Sequence, residues 1–160
     1  PAMPLSLFNV PHGIEGEALN AVATGGGAGP QDMRRFGTLW SGNCHLFWDA
    51  SKLGDTLTLT LPAQAAGSYD LVGYFTKASD YGQVSFTLNG KLLPVSFDGF
   101  GAEVVPSGPV DLGRVTVPDG PSTLVVTITG KNAQARSTLF GLDALAFNQV
   151  GSVPTPLPNH

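Results

Sequence analysis

Strict alternation of polar and apolar residues is the feature of this sequence that most limits its possible folds. Residues 56–61 read Thr-Leu-Thr-Leu-Thr-Leu, and residues 83–88 alternate in the same way before an Asn89-Gly90 dipeptide. Successive side chains of a β-strand point to opposite faces, so this pattern predicts strands with one face in the core. Asn-Gly favours the tight turn of a β-hairpin, because both residues accept a positive φ.

Other segments show either the same alternation or the continuous apolar run typical of a strand that is covered on both faces. The two apolar runs are residues 69–76 and 139–147. Further strands are predicted at 14–19, 21–24, 45–48, 95–97, 115–117 and 123–129. Turn residues separate these segments, and no stretch carries an apolar stripe with helical period. We therefore predict an all-β protein, an antiparallel β-sandwich of the jelly-roll type.

Proline-rich segments flank this β-rich body. Residues 1–12 contain three prolines, and the segment 149–160 contains the run Val-Pro-Thr-Pro-Leu-Pro. Alternating prolines favour an extended spacer, since proline has no N–H to donate to a sheet. We predict an N-terminal linker over 1–12, one β-sandwich domain over 13–148 and a C-terminal linker over 149–160. This is the organisation of a module cut from a longer protein; frayed termini are the alternative.

Composition argues against two classes of partner. The chain has 8 Lys and Arg against 12 Asp and Glu, which gives a formal net charge of −4. Proteins that bind nucleic acid present clustered cations to the phosphate groups, and the cations here are scattered along the sequence. No apolar run is long enough to cross a bilayer. We expect a monomer with neither a nucleic-acid nor a membrane partner.

Three carboxylates form the first candidate site. Glu15 and Glu17 are two positions apart in a predicted strand, so their side chains leave the same face, about 7 Å apart. Asp143 lies in an apolar run, where a buried and unpaired charge is costly. The first and last strands of a sandwich are often adjacent, which brings the three carboxylates together around a hard cation such as Ca²⁺. Alternatively, the glutamates face solvent and Asp143 caps a turn or pairs with an arginine.

Two short motifs at the ends of the body resemble those of a known group of proteins. Residues 14–19, Ile-Glu-Gly-Glu-Ala-Leu, and 140–145, Phe-Gly-Leu-Asp-Ala-Leu, are similar to the paired signatures of calcium-containing β-sandwich carbohydrate-binding modules of the family 6 and family 35 type. The chain between them resembles an accessory domain appended to bacterial glycoside hydrolases. The segments that carry this second likeness are 40–42, 46–48, 54–57, 75–78, 80–82 and 105–110.

The resemblance spans residues 13–148 and implies a galactose-binding-like fold. It also implies that Glu15, Glu17 and Asp143 bind a structural Ca²⁺. A secreted or cell-surface location in a bacterium follows from the same likeness, with a polysaccharide or oligosaccharide as the ligand.

Aromatic residues in loops form the second candidate site, because sugars stack their C–H faces on exposed rings. Trp40 follows a glycine-rich stretch and Phe100 lies between two glycines, so both are candidate stacking platforms. The alternatives are a ring buried under the loop at Trp40 and a plug over one end of the sandwich at Phe100. Phe47 and Trp48 are neighbours in a predicted strand, so one ring faces inward, and we assign Trp48 to the core.

Polar side chains that would bind sugar hydroxyls lie in the turn between two predicted strands. Lys77, Asp80 and Tyr81 supply a cation, an anion and a phenol within this turn. The alternative is a solvated turn with a local Lys–Asp pair of little energetic weight. The resemblance adds Asn132, which precedes the last strand, as a further contact to the sugar.

The sequence shows no recognisable catalytic pattern. Cys44 and His45 are adjacent, so their side chains leave opposite faces of a strand and cannot act as a nucleophile–base pair. Gly-x-Ser-x-Gly, His-Glu-x-x-His and P-loop motifs are lacking. We predict a non-catalytic module that targets a parent enzyme or surface protein to a polysaccharide. The alternatives are a structural module that packs on its own catalytic domain, and a small polysaccharide hydrolase or lyase.

Overall fold

The computed structural model describes residues 8–10, 13–49 and 52–158, which form two antiparallel β-sheets. The strands are β1 (Ile14–Glu15), β2 (Asn20–Ala23), β3 (Ala28–Asp32), β4 (Cys44–Trp48), β5 (Thr56–Gln64), β6 (Gly67–Lys77), β7 (Gln83–Leu88), β8 (Lys91–Leu92), β9 (Phe97–Asp98), β10 (Val105–Val117), β11 (Gly120–Gly130) and β12 (Phe140–Gln149). Sheet A has the order β10-β6-β12-β4-β3, with β1 on β12. Sheet B has the order β2-β5-β11-β7-β8, with β9 on β7. The predicted antiparallel β-sandwich is confirmed.

The alternating segments of the sequence build the main core. Leu57, Leu59 and Leu61 of β5 are fully buried, and the threonines between them are more exposed. Val84 and Phe86 follow the same rule in β7. The core contains residues from both sheets, and the full burial of each large apolar side chain contributes about 1.5–3 kcal/mol.

Prolines in edge strands account for two stretches of strand that the sequence did not predict. β3 contains Pro30, and the first half of β10 contains Pro106 and Pro109. Both strands lie at the edges of sheet A. A proline is tolerated there, because one side of an edge strand has no neighbour that needs an N–H donor. The pairing of β10 with β6 shifts register between Pro106 and Pro109, as expected where the hydrogen-bond pattern is interrupted.

A second apolar cluster covers the face of sheet A that is turned away from the main core. Phe8 and Val10 are buried there, and Leu157 packs against the same cluster. The Tyr74 hydroxyl donates a 2.7 Å hydrogen bond to the carbonyl oxygen of Thr155. Parts of both predicted linkers therefore contact the domain; their residues 1–7, 11–12, 159 and 160 lie outside the described residues.

Loops from both sheets meet at one end of the sandwich, which we call the loop end. It contains the loops 78–82 and 131–139 and the end of the 49–55 loop. The Gly82 N–H donates to the carbonyl oxygen of Leu139, and the Gly54 N–H donates to that of Ile128, each over 2.9 Å. None of the helical turns in the described residues has the length and apolar character that a membrane span requires.

Candidate metal centre and sugar-binding groove

The first and last strands of the domain are neighbours, which places Glu15 beside Asp143. Glu15 pairs with Ala144 across the β1–β12 ladder. The pairing of β12 with β6 shifts register between Leu142 and Ala144, which is the mark of a β-bulge at Asp143. Leu142 and Leu145 both face the main core although they are three positions apart. The bulge therefore removes Asp143 from the core-facing alternation and turns it toward β1.

Glu17 also lies near Glu15, but in a turn and not in the predicted strand. The strand predicted over 14–19 is wrong beyond Glu15, because residues Gly16–Ala18 form a 3₁₀ turn. A Cβ at Gly16 would collide with the carbonyl oxygen of Leu142, so glycine permits this close approach to β12. The carboxyl groups of Glu15 and Glu17 are close enough to influence each other's pKa.

Ser41 connects the carboxylates at the start of a second 3₁₀ turn, Ser41–Asn43. Its backbone N–H donates to Oδ2 of Asp143 over 3.0 Å, and its hydroxyl donates to Oε2 of Glu15 over 2.9 Å. Gly42 has φ of 64°, a conformation that favours glycine. A Cβ there would lie 2.8 Å from Oε1 of Glu15 and 3.4 Å from Oε2 of Glu17. The turn is therefore packed directly against all three acidic groups.

The three carboxyl groups are poorly neutralised by the protein. Burial and then repulsion from its neighbours raise the pKa of Asp143 to about 8, and burial is the main cause that raises the pKa of Glu17 to about 7. Burial also raises the pKa of Glu15. No lysine or arginine among the described residues contributes to these shifts. The site must therefore hold either protons or a bound cation.

Two buried oxygens indicate where a cation would bind. Oδ1 of Asp143 and Oε1 of Glu17 have no hydrogen-bond partner among the described residues. Carboxylate oxygens are hard donors that suit Ca²⁺, so the chemistry of the site fits this ion. As arranged in this structure, no group of three or more Asp, Glu, His or Cys side chains in the described part of the chain meets the geometry needed to hold a metal ion.

A groove of about 300 Å³ lies next to the loop end, on the outer side of sheet A. This volume is at the lower limit of small-molecule pockets, which are about 300–1,000 Å³. The polar and aromatic side chains that line the groove include Gln31, Arg35, Phe36, Phe47, Asp80 and Tyr81. We call it the aromatic groove.

Three rings give the groove its apolar surface. The ring centroids of Phe47 and Tyr81 are 6.3 Å apart, and the Arg35 guanidinium lies 4.6 Å from the centroid of the Phe36 ring. Phe47 and Phe36 are half-buried, so part of each ring faces solvent. The sequence contained a signal for Phe47, because Trp48 is fully buried in the core and its neighbour in the strand must face the other way. Gln31, Arg35 and Phe36 lie in segments with no such signal.

Trp40 is not a sugar-stacking residue, so that prediction is wrong. Its side chain is 1% exposed, and its Nε1–H donates a 2.8 Å hydrogen bond to Oγ1 of Thr76. Nδ1 of His45 lies 2.7 Å from the same oxygen, and Nε2 of His45 lies 2.6 Å from Oε1 of Gln31. Burial lowers the pKa of His45 to about 4, so the ring is neutral at pH 7. Trp40 thus anchors a buried network whose outer end, Gln31, lies in the groove.

Only two of the predicted polar contacts lie in the aromatic groove. Asp80 and Tyr81 line it, although Tyr81 is only 6% exposed. Burial and the neighbouring Asp80 carboxylate raise the pKa of Tyr81, so its hydroxyl remains a hydrogen-bond donor.

The other predicted sugar contacts lie around Asp98. The side-chain amide of Asn132 donates to Oδ2 of Asp98 over 3.2 Å, and the Phe100 N–H donates to Oδ1 over 3.0 Å. Lys77 Nζ is 6.0 Å from the centroid of the Phe97 ring. The structure therefore separates Lys77, Phe100 and Asn132 from the aromatic groove, and their assignment to a sugar site stays a prediction.

Comparison with solved structures identifies the architecture. No protein-family model and no curated protein sequence matches this chain. A Paenibacillus xanthan lyase matches with a TM-score of 0.78 and 21% identity over 94% of this chain. The CBM36-1 domain of a multidomain xylanase from the hindgut metagenome of Trinervitermes trinervoides matches with a TM-score of 0.57, 16% identity and 88% of this chain covered. A family 35 carbohydrate-binding module from an environmental isolate matches with a TM-score of 0.55, 14% identity and 91% covered.

The chain shares its β-sandwich fold with these two solved carbohydrate-binding modules. The fold implied by the end motifs agrees with this likeness. The match covers 98% of each of the two solved modules. It covers only 14% of the xanthan lyase chain, so the domain corresponds to a small part of that enzyme.

Proposed function

We propose that this chain is a non-catalytic carbohydrate-binding module that holds a parent enzyme or surface protein against a polysaccharide. The parent would be secreted or attached to the surface of a bacterial cell. The observation that carries this proposal is the aromatic groove, in which Phe36, Phe47 and Tyr81 are flanked by Gln31, Arg35 and Asp80. The likeness in fold to two carbohydrate-binding modules supports it.

The chemistry of the groove suits a sugar. Partly exposed rings such as Phe47 offer an apolar surface to the C–H groups of a pyranose. The side-chain N–H groups of Gln31 supply donors to sugar hydroxyl groups, and the carboxylate of Asp80 supplies acceptors. Gln31 is held in place by His45, so less side-chain entropy is lost on binding. A shallow groove of this size gives weak binding, which a parent protein multiplies through the high local concentration of a tether.

The lining of the groove favours binding over catalysis. Glycoside hydrolysis needs two carboxylates, about 5–9.5 Å apart, on either side of the scissile bond. Asp80 is the one carboxylate among the described residues that line the aromatic groove. The lining does not include the three clustered carboxylates, Glu15, Glu17 and Asp143.

We also propose that Glu15, Glu17 and Asp143 hold a structural Ca²⁺. The ion would take the two buried oxygens that have no hydrogen-bond partner and would neutralise the crowded carboxylates. It would thereby fix the turn at Ser41 to β1 and β12, which these residues already connect by hydrogen bonds. Chelation with EDTA should lower the melting temperature of the purified protein, and Ca²⁺ but not Na⁺ should restore it. A melting temperature that changes neither with EDTA nor with added Ca²⁺ would refute the metal proposal.

Affinity gel electrophoresis on a panel of plant, algal and bacterial polysaccharides tests the binding function. We expect at least one polysaccharide to retard the wild-type protein and to lose this effect with Phe47→Ala. Leu92→Ala is the matched control, since it removes an apolar side chain that is exposed on another part of the surface. Circular dichroism melts verify that both variants are folded. Equal retardation of Phe47→Ala and wild type, or no retardation on any polymer, would overturn the proposal.

A further inference from the structure

A second groove lies next to the aromatic groove and is lined by an unusual share of the chain's cations. It encloses about 320 Å³, and its lining includes Lys52, Lys131 and Arg136. These are three of only 8 Lys and Arg in the whole chain. All three are exposed. We call this feature the basic groove.

None of these three cations is neutralised within the described part of the chain. The ion pairs formed by the described residues are Arg34 with Asp32 and Arg114 with Asp70. The described lining of the basic groove contains no carboxylate. Water screens the repulsion between exposed cations, so the cluster costs little in the free protein. It leaves a concentrated positive potential on a chain whose net charge is −4.

The two grooves share one wall, the segment 136–139. The Arg136 N–H donates to the carbonyl oxygen of Ser79 over 2.9 Å, and the Leu139 N–H donates to that of Asp80 over 3.1 Å. Ser79, Asp80 and Leu139 line the aromatic groove, and Arg136 lines the basic groove. A polymer seated on the aromatic rings therefore crosses this wall within a short distance and enters the basic groove.

From this arrangement we infer that the basic groove binds the anionic substituents of an acidic polysaccharide whose sugar rings occupy the aromatic groove. This inference rests on the proposed function and names the class of its ligand. The shared chemistry is an anion carried on a sugar, either a uronate carboxylate or a sulfate ester. The guanidinium of Arg136 pairs with such groups through two parallel hydrogen bonds, and the lysines act as point charges. Leu53, which is 62% exposed beside them, gives the same groove an apolar contact for the sugar ring.

The test compares acidic and neutral polymers in affinity gels and isothermal titration calorimetry at several salt concentrations. Polygalacturonate represents the carboxylate, a sulfated galactan represents the sulfate ester, and an unsubstituted galactan is the neutral polymer. The variants are Arg136→Gln alone and the triple variant Lys52→Gln, Lys131→Gln and Arg136→Gln. The control is Lys91→Gln. Lys91 pairs with Leu88 at the other end of the sandwich, roughly 23 Å from the basic groove along the direction of β11.

We expect wild type to bind at least one acidic polymer more tightly than the neutral one, with an affinity that falls as salt rises. The triple variant should lose about tenfold of this affinity, since each exposed ion pair contributes about 0.2–1 kcal/mol. Its melting temperature and its affinity for the neutral polymer should be unchanged, and Lys91→Gln should behave as wild type. The acidic polymer for which the triple variant loses more affinity, polygalacturonate or the sulfated galactan, carries the preferred anion.

Three results would overturn the inference. They are equal affinity of wild type for acidic and neutral polymers, an unchanged affinity of the triple variant for the acidic ones, and retention of duplex DNA as strong as that of the acidic polymers. The last result would show a nonspecific cationic surface. A failure of the proposed function looks different, because no polymer of either kind would then depend on Phe47.

Discussion

The backbone N–H of Ser41 donates a 3.0 Å hydrogen bond to Oδ2 of Asp143, a residue 102 positions further along the chain. This contact joins the turn before β4 to the bulge in β12. Because Oδ1 of the same carboxylate has no partner among the described residues, Asp143 is held at one oxygen and available at the other. That arrangement suits a ligand that must be both fixed by the fold and open to an ion.

Asp143→Ala should therefore destabilise the calcium-loaded protein far more than Asp80→Ala. The first substitution removes a buried anionic oxygen donor that is 1% exposed and leaves the Ser41 N–H unpaired, whereas Asp80 lies in a partly exposed loop. We expect a fall in melting temperature of about 5 °C or more for Asp143→Ala, together with loss of the response to Ca²⁺. Differential scanning calorimetry with and without Ca²⁺ measures both effects. Equal melting temperatures for the two variants would contradict a stabilising role for the buried Asp143 carboxylate.

The raised carboxyl pKa values predict how stability depends on pH without metal. The pKa values of Glu17 and Asp143, at about 7 and about 8, exceed the usual value near 4 of an unfolded chain. The folded protein therefore binds more protons than the unfolded chain over this interval, so its free energy of unfolding falls as pH rises toward 8. His45 works in the opposite direction, but its lowered pKa of about 4 confines that effect to pH below about 6.5.

Urea unfolding of EDTA-treated protein between pH 6.5 and 8.5 isolates the carboxyl effect. The free energy of unfolding should decrease across this window. In excess Ca²⁺ the decrease should disappear, because the ion binds the ionised carboxylates that the higher pH supplies. Asp143→Asn removes one of the titrating groups and should flatten the metal-free profile. A metal-free stability that rises between pH 6.5 and 8.5 would contradict the assignment.

Trp40→Phe separates a structural role of this ring from a binding role. The substitution deletes the donor to Thr76 and part of a buried ring, so the free energy of unfolding should fall by about 1–3 kcal/mol. Polysaccharide affinity should stay within about twofold of wild type. Trp48→Phe is a matched control, since Trp48 is also buried and donates its indole N–H to the carbonyl oxygen of Gly25. Loss of binding in Trp40→Phe alone would show that the groove depends on the network from Trp40 through Thr76 and His45 to Gln31.

The sequence predicted what depends on local periodicity. The alternating leucines of β5 lie in the core as expected, because a strand leaves its side chains only two faces. Glu17 illustrates what periodicity misses, since its 3₁₀ turn depends on the close approach of Gly16 to β12. Trp40 shows a second limit. A glycine-rich flank is compatible with an exposed ring and with a ring folded back under its loop, and only the position of Thr76 on another strand decides between them.

The groove residues were harder to predict, because they come from segments distant in sequence. Asp80 and Tyr81 were found because they lie in a turn between two strongly patterned strands. Arg35 and Gln31 belong to the region around a proline-containing edge strand that carries no clear alternation. Their functional chemistry becomes visible only when β3 pairs with β4 and brings them beside Phe47.

The prolines in the two outer strands of sheet A have a consequence for how copies of this domain behave when they are crowded together. An unprotected sheet border is a template on which a neighbouring copy can add its own strand. Pro30 on one border and Pro106 and Pro109 on the other lack the N–H groups that such an addition needs. Neighbouring copies are therefore hindered from adding strands at the borders of sheet A.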